Sequence, residues 1–555
     1  MNDSSNDDRF AVDRRKVLAG GAAFLTAGML GTPRLAAAAD TGPVAVTRAG
    51  RIRGYHDGPV KVFKGVPYGA PTGGENRWLP PQPPARWSGI RETVMPGAMA
   101  PQNRIAPLAE EQAMSQVSPR SEDCLTVNIY TPAVGPNSGK RPVLVWYHGG
   151  GFAVSSGNVT SYDGRNLAEK NDAVLVTVTH RLNVLGFLYL ADIFGPRYAE
   201  SGNVGILDCV AALAWVRDNI ANFGGDPHVV TIAGQSGGGA KVSTMMAMPA
   251  AKGLFHRAIG QSGAALHATP KETASAAAKR FIDALGVKTP AELQAVPAER
   301  LLEVMDEVRL PTSPVMDGVV LFRQPFEPDA PAESRDIPFM VGTTETEANF
   351  YPTTPLEPID DAKLHELVKG TTRADDADVD KLIDVFRHAY PGKDDTYLYQ
   401  LLASQFGFNQ ESIILEAERK SAQGGAPVYV YYFVKHTAVR DGKLRAPHTL
   451  EIPYVFDSLA HSAPIIGPVT PQDQALADRV SATWISFARH GNPNNPRIPH
   501  WPAFDAQRRA VMVIDDEWRA VDDPLRETRL AIADLKARIP PPLGPPPPPP
   551  LQPKG

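Results

Sequence analysis

Apolar positions recur along this chain in two rhythms. Short continuous runs, RPVLVWY (141–147), AVLVTVTH (173–180), VVTIAGQS (229–236), IPFMVGT (337–343) and VYVYYFV (428–434), have the length and β-branched content of strands buried on both faces. Between them lie stretches with apolar residues at helical spacing. In 203–223, Ile206, Val210, Leu213, Val216 and Ile220 recur at that spacing, and 268–310 and 360–425 predict helical insertions. Strands alternating with helices predict an α/β fold: a large, mostly parallel sheet covered on both faces. In such sheets ligands bind beyond the carboxyl ends of the strands, where Ser236, His148 and Glu347 all fall.

Composition narrows the function class. With 555 residues, 43% hydrophobic and 21% charged, the chain can bury a substantial core. A net charge of −5 offers nothing to nucleic acid or an anionic membrane surface. The two cysteines, Cys124 and Cys209, could pair in an exported protein. The chain has no C-x-x-C, P-loop or H-E-x-x-H, so neither metal nor cofactor is expected. At the N-terminus, Asp13-Arg14-Arg15-Lys16-Val17-Leu18 precedes a modestly apolar run, Ala19 to Leu30, and small residues near Ala38 and Ala39. Residues 1–39 thus resemble a twin-arginine signal peptide, which predicts an exported protein, periplasmic or secreted. The apolar run is too short and glycine-rich for a membrane span. The expected domain covers 40–538, followed by a proline-rich tail over 539–555 that cannot join a packed core.

The chemistry concentrates at Gly234-Gln235-Ser236-Gly237-Gly238, a G-x-S-x-G pattern between a predicted strand and a predicted helix. On so tight a turn the serine is strained and its hydroxyl stands clear, as a nucleophile requires. A near-copy, Gly260-Gln261-Ser262-Gly263, ends in Ala264 and lacks the fifth-position glycine, so Ser236 is preferred. His148-Gly149-Gly150-Gly151-Phe152 directly follows an apolar strand and exposes a row of backbone N–H groups. Such donors stabilise the oxyanion of acyl transfer, each by about 2.7–4 kcal/mol. A serine nucleophile also needs a histidine base and a carboxylate to orient it, in the order Ser, acid, His. Position leaves both choices open: Glu345 or Glu347 for the acid, His436 or His448 for the base.

Many segments resemble type B carboxylesterases, the cholinesterase/carboxylesterase family. They include Phe63-Lys64-Gly65-Val66-Pro67-Tyr68-Gly69, RWLPPQPPARWSG (77–89), Ser121-Glu122-Asp123-Cys124-Leu125, RLNVLGFL (181–188), NFGGDPHVVTI (222–232) and His448-Thr449-Leu450-Glu451-Ile452-Pro453. The resemblance spans about residues 44–530 and implies an α/β-hydrolase fold with helical insertions around an active-site gorge. It implies Glu347 as acid, His448 as base, and Gly150, Gly151 and Gly237 as oxyanion donors. It also implies a pocket touched by Phe152, Gln235, Val308 and Leu310.

Three departures stand out. Gln235 replaces the family's glutamate before the nucleophile. Ala100 falls where the family's loop cysteine pairs with Cys124, so that disulfide is lost. Residues 101–123 hold no tryptophan, which argues against choline esters, and Val308-Arg309-Leu310 replaces acyl-pocket aromatics, which implies bulkier acyl groups. The expected protein is a serine carboxylesterase acting on small-molecule esters. The alternatives are a lipase, polyesterase or amidase on the same triad, or a non-catalytic binding ectodomain. The sequence leaves the oligomeric state open.

Overall fold

A computed structural model of the chain describes residues 42–103, 110, 118–407 and 410–539. The signal-like segment and the proline tail from residue 540 lie outside the described residues.

Eleven strands form one sheet: β1 (Tyr55–Asp57), β2 (Val60–Pro67), β3 (Thr126–Thr131), β4 (Arg141–Tyr147), β5 (Val174–Thr179), β6 (Gly225–Gln235), β7 (Arg257–Gln261), β8 (Phe339–Thr344), β9 (Val428–Phe433), β10 (Ala510–Ile514) and β11 (Arg519–Asp522). Their spatial order is β1-β2-β3-β5-β4-β6-β7-β8-β9-β10-β11. β4 through β10 pair in parallel, whereas β1–β3 and β11 add antiparallel margins. The five predicted strands are present. The other six lie outside the predicted runs: lysines interrupt the apolar pattern of β2; β7 and β10 span only five residues each; and β1, β3 and β11 lie in the antiparallel margins.

The continuous apolar runs make sense once the sheet has two cores. In β4, Val143, Val145 and Tyr147 face one cluster while Leu144 and Trp146 face the other. In β9, Val428, Val430 and Tyr432 alternate in the same way with Tyr429, Tyr431 and Phe433. Helices α1 (Val204–Asn219) and α2 (Gly237–Met246) cover the first face with α3 (Gln410–Ala422), and α4 (Pro471–His490) covers the second through Leu476, Val480 and Trp484. The predicted insertions are helical: Lys271–Leu285, Pro290–Ala295 and Ala298–Glu307 in the first, and four helices between Asp361 and Ala422 in the second. Each insertion has an apolar cluster of its own.

One ion pair is buried behind β5. Arg181 donates through Nε and Nη2 to Asp208 at 2.8 and 2.6 Å, and its backbone N–H adds a third bond at 3.0 Å. A bidentate pair with its lone pairs occupied is the arrangement in which two buried charges are tolerated. Cys124 and Cys209 are buried and free, so the pairing open to them in the sequence does not occur. Burial raises both thiol pKa values. Ala100 is fully buried, as expected of a small residue where a disulfide is missing.

Candidate active site

Ser236 is the single residue between β6 and α2, with φ +57° and ψ −125°. That is a strained conformation for a residue with a Cβ. From Val230 to Gly239 every residue is buried except Ser236, which is partly exposed. The turn holds because Ser236 N–H donates to Gln261 O at 2.7 Å. Glycine backbones surround it: a Cβ on Gly237 would lie 2.0 Å from Gly151 O, and one on Gly263 would lie 1.9 Å from Ser236 O. The near-copy at Gly260–Gly263 ends the neighbouring strand, with Gly260 opposite Gly234 and Gln261 opposite Gln235. Its Ser262 lies near the Glu347 carboxylate, with its hydroxyl buried and without a hydrogen-bond partner among the described residues.

The two acids and two histidines that sequence position left open are sorted into two pairs. Glu345 binds His436 at 2.6 Å and accepts from Tyr397 Oη at 2.8 Å, and the His436 side chain is 39% exposed. Glu347 accepts from His448 Nδ1, and there both side chains are 5% exposed or less. Thr343 Oγ1 at 2.5 Å and Thr344 N–H at 2.8 Å also donate to Glu347. Burial alone would push this carboxyl up; the His448 charge and the hydrogen bonds outweigh it and hold the pKa below its usual value. Phe350 packs edge-on against the His448 ring at 5.0 Å.

The Gln235 amide nitrogen lies 3.1 Å from His448 Nε2 and 3.3 Å from Nδ1, near-equidistant from both. A Cβ on Gly149 would be 3.2 Å from Gln235 Oε1 and 3.3 Å from Ser236 Cβ, so the glycine row sits directly over the elbow. Gly150 and Gly151 take φ values of +79° and +62°, which turns the row back on itself. Phe152 follows, edge-on to Phe187 at 5.2 Å.

This arrangement recurs in known proteins. Residues 41–533 match the model of the carboxylesterase family. The chain belongs to the carboxylesterase family. It is 32% identical over 509 residues to para-nitrobenzyl esterase of Bacillus subtilis (strain 168), covering 88% of this chain and 98% of that one. It is 34% identical over 513 residues to cocaine esterase of Homo sapiens, covering 85% and 88%. A solved carboxylesterase of Geobacillus stearothermophilus matches with a TM-score of 0.74 at 36% identity, over 88% of this chain and 99% of that one. A Clostridium hathewayi esterase, described as able to hydrolyse aliphatic aromatic polyesters, matches with a TM-score of 0.78 at 31% identity, over 89% and 99%. The protein is thus a serine carboxylesterase of the α/β-hydrolase fold.

Of the expected pocket residues of this carboxylesterase, Leu310 belongs to the apolar cluster that includes helices 271–285 and 298–307, and Val308 is partly buried against it. Sequence reasoning also passed over Glu451. It is fully buried, bound by Gln261 Nε2 at 3.2 Å, and its pKa is pushed up to about 7 by burial and then by Glu347. Its place three residues after His448 was the available signal. Among the described residues no cluster of His, Cys, Asp or Glu could hold a metal ion, and no helix is long and apolar enough to cross a membrane.

Gln235 generates a prediction. A carboxylate at this distance favours the imidazolium, so Gln235→Glu is expected to raise the acidic limb of the kcat/KM–pH profile by about one unit. A limb that stays in place would show that residue 235 does not set the base's proton affinity.

Proposed function

We propose that Ser236 is the nucleophile of this carboxylesterase, His448 its general base and Glu347 the orienting acid. The buried Glu347–His448 pair, packed against Gln235 beside the one accessible residue of the elbow, carries this reading. With Nδ1 given to Glu347, Nε2, which lies 3.1 Å from the Gln235 amide nitrogen, is the ring nitrogen that takes the serine proton. Ser236 Oγ attacks the ester carbonyl as its proton passes to His448 Nε2. The carbonyl oxygen becomes an oxyanion facing the N–H groups of Gly150, Gly151 and Gly237. His448 then protonates the leaving alcohol, and water activated by the same ring releases the acid. Ser236→Ala is expected to lower kcat by about 10⁴-fold or more and to abolish labelling by a sulfonyl fluoride. Undiminished labelling or turnover would refute the assignment. A non-catalytic binding ectodomain has no support here.

The substrate reading is finer. We propose small-molecule carboxylic esters with acyl groups bulkier than acetyl, because the segment 308–310 brings Val308, Arg309 and Leu310 rather than aromatic rings. Across nitrophenyl esters of rising acyl length, kcat/KM is expected to peak beyond acetate, and a clear preference for acetate would overturn it.

We also propose export by the twin-arginine route, supported by Arg14-Arg15 ahead of the apolar run. Replacing both arginines with lysine is expected to leave the unprocessed precursor in the cytoplasm of a bacterial host with that pathway. Continued export would count against it.

A further inference from the structure

Lys241 lies on α2, five residues after Ser236, and is fully buried. A lysine this close to the surface of a gorge would ordinarily extend its ammonium to water. Here Nζ instead donates to two backbone carbonyls of the glycine row, His148 O at 3.1 Å and Gly151 O at 2.8 Å. Its remaining side meets the face of the Phe152 ring at 4.9 Å. Among the described residues it makes no ion pair with an acid, and Asp208 on α1 is bound to Arg181.

Every carbonyl of the row is held. Gly149 O faces the His148 Nδ1 at 2.9 Å, and Gly150 O accepts from the N–H groups of Ala153 and Val154 at 3.2 and 3.1 Å. A trans peptide points its N–H opposite its C=O. Pinning the carbonyls of Gly149 and Gly150 therefore directs the N–H groups of Gly150 and Gly151 the other way. Lys241 clamps the peptides on either side of that pair. The missing Cβ of Gly237 lets Gly151 O approach α2 closely enough to be reached.

We propose that Lys241 is a positioning residue for ester hydrolysis: its buried ammonium clamps both ends of the glycine row and adds positive charge behind the oxyanion donors. This rests on the oxyanion role given to Gly150 and Gly151. An ammonium has three donors and a full charge, whereas an apolar side chain of the same length would fill the space and leave two buried carbonyls unmet. The charge polarises the peptides toward the side where negative charge develops, so its effect belongs to the transition state rather than to substrate binding.

The clamp is pH-sensitive. Burial pulls the Lys241 pKa down to about 8. The charge is present below that pH and lost above it, so turnover should decline as pH rises through the same range. The groups facing Lys241 stay neutral there. Burial, and then the Lys241 charge itself, bring His148 down to about 3 and hold His180 well below its usual value. Burial raises Cys209 on α1 and Tyr147 on β4. Glu416 on α3 is the exception: it contacts Ser243 of α2, and burial pushes its carboxyl up to about 8.

Three measurements test the proposal. Lys241→Met is expected to lower kcat by roughly ten- to a hundredfold with KM little changed, and to remove the alkaline limb near pH 8. Glu416→Gln is expected to keep that limb. On the wild-type enzyme, a trifluoromethyl ketone should bind more weakly above pH 8. It forms the tetrahedral adduct, and the parent methyl ketone, which does not, should bind equally across that range. This arm needs no variant to fold. An alkaline limb that survives in Lys241→Met, or that vanishes in Glu416→Gln, overturns the proposal, as does pH-independent trifluoromethyl ketone affinity. If the ketone forms no adduct with the wild type at all, the fault lies instead with Ser236 and the oxyanion assignment.

Discussion

The site depends on one close approach of backbones. Ser236 holds a left-handed conformation, φ +57°, because its peptide is tied to the next strand and because glycines at 237, 238 and 263 let three chain segments meet without side chains. The strain is local, and the sheet bears it. β6 and β7 are in register through Gly234–Gly260 and Gln235–Gln261, which places the carbonyl of Gln261 where the Ser236 N–H needs it. The same absence of side chains brings the row at 149–151 over the elbow. Nucleophile and oxyanion donors are thus two results of one packing constraint.

Around this contact the protein buries several ionisable groups and settles each by a different means. Glu347 stays ionised through His448, Thr343 and Thr344. Glu451, a short way behind it, has little beyond Gln261 and is driven toward its neutral form. Arg181 and Asp208 neutralise one another. Lys241 lies among backbone carbonyls and a ring face, with no acid bound to it among the described residues. Each solution keeps a charge, or its absence, at a set distance from the elbow. Those distances govern how strongly a developing oxyanion is felt.

Pattern reading located five of the seven parallel strands, the nucleophile turn, the glycine row and the helical insertions, because each is a local property: a run of β-branched residues, a tight turn, a periodic face. Among the strands it passed over are β2, β7 and β10, where the apolar signal is broken by lysines or lasts only five residues. It could not choose between Glu345 and Glu347 or between His436 and His448. Those residues lie two positions or a dozen apart in similar loops, and a family resemblance was needed to separate them.

By itself, then, the sequence determined the class of fold, the turn that carries Ser236 and the supply of backbone donors, since turn chemistry and strand periodicity are written within a few residues. Only the tertiary structure decided the partnerships. Glu347 and His448 are 101 positions apart, and Lys241 and the carbonyl of Gly151 are 90 apart. Whether such groups meet depends on how strands are ordered in the sheet and which loops its carboxyl edge gathers. Burial then sets their charge states, and burial is a property of the whole packed fold.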